Sequence, residues 1–239
     1  MGGVLEDKLV VVTGGAKGLG RAISLAFAKA GADIAAISRT QDDLDRICDE
    51  VKSLGRSTMT RCGDISVEKD VNAFVADVIK DFGHIDFLVN NAAIYLEKNV
   101  SETTLDDWKS IIGVNLTGTF LVTRAVVEQM KVQRSGHVFT ISSVGGRTGL
   151  SGKSAYCASK FGVTGFSKAL AKELREYEIK VQIIYPYYVD SYGEIDWSKE
   201  DKEKTRMIRA EDMADMIVYH ASLPLNVLTE DIVFDPYTQ

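Results

Sequence analysis

Leu9-Val10-Val11-Val12-Thr13-Gly14-Gly15-Ala16-Lys17-Gly18-Leu19-Gly20 is the stretch that decides the fold. Its first five residues form an apolar, β-branched run of strand length. Glycines then break the run, and Leu19, Ile23, Ala26, Phe27 and Ala30 recur at helical spacing. A buried strand, a glycine turn and an amphipathic helix open an α/β unit. Glycine lets the backbone turn tightly and come close to a bound group. The free N–H groups of the helix start then favour an anion such as a pyrophosphate. The spacing T-G-x-x-x-G-x-G has one more residue between its first two glycines than the dinucleotide fingerprint G-x-G-x-x-G. No Gly-Lys-Ser/Thr ending follows, which speaks against a triphosphate loop.

Outward from this turn the same alternation continues. Strand-like runs are expected at 33–38, 58–62, 85–90, 137–142, 180–185 and 232–234, with helical segments between them. Val67, Val71, Phe74, Val75, Val78 and Ile79 mark one such helix, and a last helix is expected around 211–221. Regular alternation predicts an α/β fold with a parallel sheet covered on both faces. With 239 residues, only 3 Pro and no low-complexity tract or repeat, the chain is expected to be a single domain over 1–239. The polar, charged stretch 190–209 reads as a mobile substrate lid.

Composition excludes other classes. A net charge of −6 gives no overall reason to bind nucleic acid or an anionic membrane, and no apolar run reaches the roughly 18 residues of a span. The first eight residues lack the basic and apolar segments of a signal peptide, and Glu6 replaces the Ser or Thr of a myristoylation signal. Cys48, Cys62 and Cys157 are scattered and odd in number, which suits a reducing, cytoplasmic protein. His84, His137 and His220 lie far apart, so no metal site is expected.

The second strand ends at Ser38-Arg39, about 20 residues beyond the turn, where a ribose-reading residue belongs. An acidic residue there would repel a 2′-phosphate, whereas Arg39 offers it bidentate contacts. Ser38 adds a hydroxyl and Lys17 a further charge, so NADP(H) is expected over NAD. Tyr156 and Lys160 are four residues apart on one helix face. A phenol near pKa 10 is a poor acid–base catalyst at neutral pH, and a neighbouring ammonium favours its phenolate.

Together these motifs resemble the short-chain dehydrogenase/reductase family from Val10 to about Ala221. The matching residues are the glycine turn, Asp64, Asn90-Asn91-Ala92, Asn115, Ser142-Ser143 and Tyr156…Lys160. Ser143 precedes Tyr156 by the family's usual 13 residues, which selects it over Ser142. The resemblance implies a Rossmann-like, doubly wound sheet of seven strands in the order 3-2-1-4-5-6-7. It also implies a catalytic group in which Tyr156 is the general acid of reduction and Ser143 bonds the substrate oxygen. Lys160 would lower the Tyr156 pKa and hold the nicotinamide ribose, and Asn115 would anchor a proton-relaying water. Gly14, Lys17, Gly18, Leu19 and Gly20 would hold the pyrophosphate side of the cofactor. Asp64 would bond the adenine and Ile65 flank it, with Asn90 facing the adenosine ribose and Asn91 and Ala92 along the cofactor. Pro186, Val189 and Ser191 would lie at the nicotinamide.

The chain departs from the family pattern at three places. Ala93 replaces the Gly of Asn-Asn-Ala-Gly, Tyr187 replaces the Gly of Pro-Gly-x-Val-x-Thr, and the tail ends in Phe234-Asp235-Pro236-Tyr237. Tyr at 187 forbids easy access to φ > 0 and adds a ring near the site. Ile94, Tyr95, Leu150, Tyr187, Tyr188, Tyr192 and Trp197 surround the expected nicotinamide end, an aromatic wall suited to apolar or aromatic ketones, aldehydes or diketones. The expectation is therefore an NADPH-dependent carbonyl reductase acting on a small molecule, as a homodimer or homotetramer. Two alternatives stand beside it. One is a 3-oxoacyl-carrier-protein reductase, for which Lys199, Lys202, Lys204, Arg206 and Arg209 supply a basic patch diluted by neighbouring acids. The other is a non-catalytic NADP-binding regulator with Tyr187 blocking the pocket.

Overall fold

A computed structural model describes residues 3–191 and 207–235. The strands in chain order are β1 (Leu9–Thr13), β2 (Asp33–Ser38), β3 (Thr58–Cys62), β4 (Phe87–Asn90), β5 (Gly136–Ile141), β6 (Ile179–Pro186), β7 (Val189–Asp190), β8 (Ile208–Arg209) and β9 (Asp231–Phe234). Seven of them form one parallel sheet in the order β3-β2-β1-β4-β5-β6-β9, and β7 pairs with β8 apart from it. The strand order expected from the resemblance is the observed one.

Helices α1 (Gly18–Lys29), α2 (Gln41–Ser53), α3 (Glu68–Phe82), α4 (Leu105–Ile112), α5 (Thr119–Gln133), α6 (Ser154–Glu173) and α7 (Ala210–Ser222) cover the sheet. Phe27 of α1, Leu44 of α2 and Met213 of α7 pack with Val10 and Val12 on one face. Phe74 of α3, Val126 of α5 and Leu170 of α6 pack with Leu9 and Val11 on the other. Alternate residues of β1 thus feed opposite cores, as the period of two requires, and the whole strand is buried. That is why it reads as an unbroken apolar run.

β4 begins at Phe87, two residues later than its apolar run, because the Gln133 amide takes both backbone groups of Ile85. A π-helical turn, Gly113–Gly118, joins α4 to α5. The continuous helix Leu105–Gln133 is long and apolar enough, by length and composition alone, to cross a membrane, but half of its most apolar stretch is buried inside the protein. Most of the stretch expected to form a lid lies outside the described residues, with Tyr192 and Trp197.

β1 pairs with β2 on one side and β4 on the other, so the strand order reverses there. In open α/β sheets the crevice beyond the carboxyl ends at such a switch point is where ligands bind. The glycine turn follows β1 and Asn91 follows β4, so both motifs open onto it.

Candidate active site

A cleft of about 750 Å³ runs along the carboxyl ends of the strands. At one end lies the glycine turn. Gly14 and Gly18 have φ of 62° and 56°, in the left-handed region that favours glycine. A Cβ on Gly20 would collide with the Gly14 carbonyl and come within 2.5 Å of Asn91 Nδ2. Lys17 caps α1 in an extended conformation without a side-chain bond, and the first turn carries no acidic residue. By contrast α2, α3, α4 and α7 each begin with two acids. The N-terminus of α1 is therefore left open to an anion. These residues fit the pyrophosphate of a dinucleotide.

Thr13 ties the turn to the segment after β4. Its Oγ1 accepts from the N–H groups of Asn91 and Ala92, both at 3.0 Å, while Asn91 Nδ2 donates to the Thr13 carbonyl at 3.0 Å. Asn90 does not face the cleft as the sequence suggested. Its Nδ2 donates to Thr123 Oγ1 at 2.8 Å on the α5 side, and Asn91 lines the cleft instead. Alternation at the strand end sets this choice.

Ser38 and Arg39 line the far wall with Lys17, and neither cation has a carboxylate partner among the described residues. Asp64 lines the cleft while its Oδ1 accepts from Ser66 N–H and hydroxyl at 2.8 and 2.7 Å, so one oxygen also holds the turn. Ile65 is buried beside it, in the space a side chain at 118 would need.

At the other end, Ser143, Tyr156 and Lys160 converge from β5 and α6. Both serines line the cleft, but the Ser142 hydroxyl is bonded to the Lys160 carbonyl and Thr164 of α6, whereas the Ser143 hydroxyl accepts from Gly145 N–H at 3.0 Å. Burial pushes the Tyr156 phenol above its ordinary pKa, and its interaction with Ser143 is the largest influence lowering it. Lys160 is buried, donates to the Ile141 carbonyl at 2.8 Å, and sits 5.9 Å from the Tyr156 ring centre. Burial lowers its pKa to about 8.

Asn115 lies under the cleft, 1% exposed, in the π-helical turn. Its Oδ1 accepts from Ile94 N–H at 2.8 Å, and its Nδ2 donates to the Ile94 carbonyl and Ser159 Oγ, both at 3.0 Å. Its amide thereby holds the loop after β4 against α6.

Pro186, Tyr187, Val189, Ser191, Ile94, Tyr95 and Leu150 all line the cleft. Tyr187 fits without strain. Its φ is not positive, and its N–H continues the β6–β9 pairing to the Phe234 carbonyl at 2.9 Å. Tyr95 lies edge-on to Tyr156, ring centres 5.1 Å apart. Glu97 and Lys153, which the sequence did not single out, also line this end. Lys153 is 8% exposed, lies over the Tyr95 ring at 5.2 Å and the Tyr188 ring at 5.3 Å, and donates to the Tyr188 hydroxyl at 3.1 Å. No local spacing betrays it, since its partners come from two distant segments, Tyr95 and Glu97 after β4 and Tyr188 after β6.

The family model described as short chain dehydrogenase matches residues 8–203. A sepiapterin reductase of Chlorobaculum tepidum is 33% identical over 95% of this chain and 96% of its own length. A 3-oxoacyl-acyl-carrier-protein reductase of Thermotoga maritima is 32% identical over 96% of each chain. Among solved structures, a metagenomic short-chain oxidoreductase in complex with NADP superposes with a TM-score of 0.86 at 26% identity, covering 99% of this chain and 100% of that one. A short chain dehydrogenase from Mycobacterium paratuberculosis bound to NAD gives 0.88 at 26% identity, covering 98% of each.

Proposed function

The chain belongs to the short-chain dehydrogenase family of oxidoreductases, which bind a nicotinamide cofactor, and we propose that it reduces an apolar or aromatic carbonyl compound with NADPH. The observation that carries this reading is the meeting of Ser143, Tyr156 and Lys160 in the same cleft as the open N-terminus of α1. Lys17 and Arg39 both line the cleft and, among the described residues, have no carboxylate partner, so they are free to meet a 2′-phosphate. That favours NADP over NAD.

When bound, the nicotinamide supplies the hydride. Tyr156 gives its proton to the carbonyl oxygen as negative charge develops there, and the Ser143 hydroxyl donates to the same oxygen. A phenol held neutral by burial suits the reductive direction, in which it must give a proton. Lys160 places a positive charge beneath Tyr156 and is the group that would hold the nicotinamide ribose. Asn115 keeps Ile94 and α6 in register, so that Tyr95 and Tyr156 stay edge to edge. Tyr95, Leu150 and Tyr187 give the substrate end an apolar wall.

NADPH fluorescence titration followed by absorbance at the nicotinamide band tests this, over ketones, aldehydes, quinones and a 3-oxoacyl thioester. Turnover of the flat or aromatic compounds is expected. Preference for the thioester would favour the carrier-protein reading, and binding without oxidation of NADPH would favour the regulator. A homodimer or homotetramer belongs to the same proposal. Light scattering that returned the mass of a single chain would contradict it.

A further inference from the structure

Resting on the carbonyl-reductase reading, we propose that Tyr188, polarised by Lys153, donates a hydrogen bond to a second acceptor oxygen of the substrate, so that the preferred substrate is a dicarbonyl compound. The residues concerned form a chain of contacts around the substrate end. Tyr95 is edge-on to Tyr156, Lys153 stands over the Tyr95 and Tyr188 rings, and all four line the cleft. Lys153 is a buried ammonium reached from two segments distant in sequence, and its stem is fixed at the start of α6. A lysine only donates, so in the 3.1 Å bond the Tyr188 oxygen is the acceptor and keeps its own proton to give. No acceptor for that proton is present among the described residues, and Tyr188 is half exposed.

Tyr95 cannot play this part, because its hydroxyl already donates to Glu97 Oε2 at 2.6 Å. Glu97 forms an ion pair with the lysine at 3.5 Å through a carboxylate that is 62% exposed, so water screens the pair and the lysine keeps a proton for Tyr188. A phenol that accepts from a cation is a stronger donor than a free one. An acceptor oxygen of the substrate other than the reacting one is the group it would recognise. A simple hydrocarbon ketone leaves this donor without a partner once the cleft is filled, which a site built for hydrogen bonding discriminates against.

The test compares cyclohexanone with cyclohexane-1,2-dione, both with NADPH, in the wild type and in Tyr188→Phe, Lys153→Met and Lys153→Arg. The ratio of kcat/KM for dione over monoketone is read in each protein, so the greater intrinsic reactivity of the dione cancels between proteins. The ratio is expected to fall about tenfold in Tyr188→Phe and Lys153→Met, mainly through KM for the dione, and to be largely restored in Lys153→Arg. A ratio unchanged in both variants overturns the assignment. So does a wild type that takes the monoketone at least as well, or one that reduces other ketones but not the dione. A wild type that oxidises NADPH with no carbonyl compound overturns the underlying reading instead.

Discussion

The Lys160 ammonium is bonded to the Ile141 carbonyl at 2.8 Å, at the carboxyl end of β5, in a position almost closed to water. The bond satisfies one proton of three and leaves the charge largely desolvated, which brings its pKa from 10.5 to about 8. A lysine with a lowered folded pKa destabilises the fold most fully below pH 8. The unfolded chain binds more protons at this position between about pH 8 and 10.5, so stability from this group rises across that window. Lys160→Met is therefore expected to abolish turnover and yet raise stability at pH 7. The gain is about 1–2 kcal/mol after the orphaned Ile141 carbonyl is counted. Urea titrations at pH 7 and pH 10 check this: the gain should shrink or reverse at the higher pH, and a pH-independent difference would contradict it.

Arg39 and Lys17 should set the cofactor preference. A charge-assisted hydrogen bond contributes on the order of 1.5–3 kcal/mol, so kcat/KM is expected to favour NADPH over NADH by tens-fold. Arg39→Asp should reverse or erase the preference. Equal efficiency with both cofactors in the wild type, or no change in the variant, would refute the assignment.

Tyr187 is expected to narrow the substrate end without disturbing the cofactor, since its φ is not positive and its N–H is bonded to the Phe234 carbonyl. Tyr187→Gly should widen acceptance of bulky ketones and leave NADPH affinity within about threefold, a shift below the roughly 1.4 kcal/mol of a tenfold change. Paired titration and steady-state kinetics read both effects. Loss of NADPH binding would show that the ring supports the cofactor side instead.

The glycine turn and the Ser143-Tyr156-Lys160 group were legible because their signals are local or have fixed spacing, and the strand order followed from the family those motifs resemble. Gly14, Gly18 and Gly20 sit at positions that sterics and φ demand, and such demands are written in residue type. What depends on the face a residue takes was harder. Asn90 and Asn91 are neighbours of identical chemistry, and only the pleat decides which one meets the cleft. Asn115 lies in a π-helical turn whose extra residue per turn leaves no mark in hydrophobic period. Lys153 was invisible as a charged helix-start residue. Its meaning comes from Tyr95, Glu97 and Tyr188, which the chain brings together only in three dimensions.

His137 should govern acid stability. It is buried against Phe139 with Nε2 unpartnered, and burial lowers its pKa from 6.5 to about 3. The folded form therefore resists protonation, and stability is lost as pH falls below 6.5 toward 3. At pH 5 the loss from this group is about 2 kcal/mol relative to neutral pH. His137→Phe is expected to remove that slope and move the acid-unfolding midpoint to lower pH by circular dichroism. An unchanged midpoint would mean other groups carry the acid transition.

In the proposed reaction Tyr156 gives the proton to the carbonyl oxygen. Tyr156→Phe removes one oxygen from the centre of the site and leaves the glycine turn and the wall of Arg39 and Lys17 untouched. Measured on the best carbonyl substrate at saturating NADPH, kcat is expected to fall by at least about a hundredfold, the low end for general acid catalysis. NADPH affinity by fluorescence titration should stay within about threefold of the wild type, because no binding contact of charged strength is lost. A Tyr156→Phe protein that turns over its substrate at a near-normal rate would contradict the account.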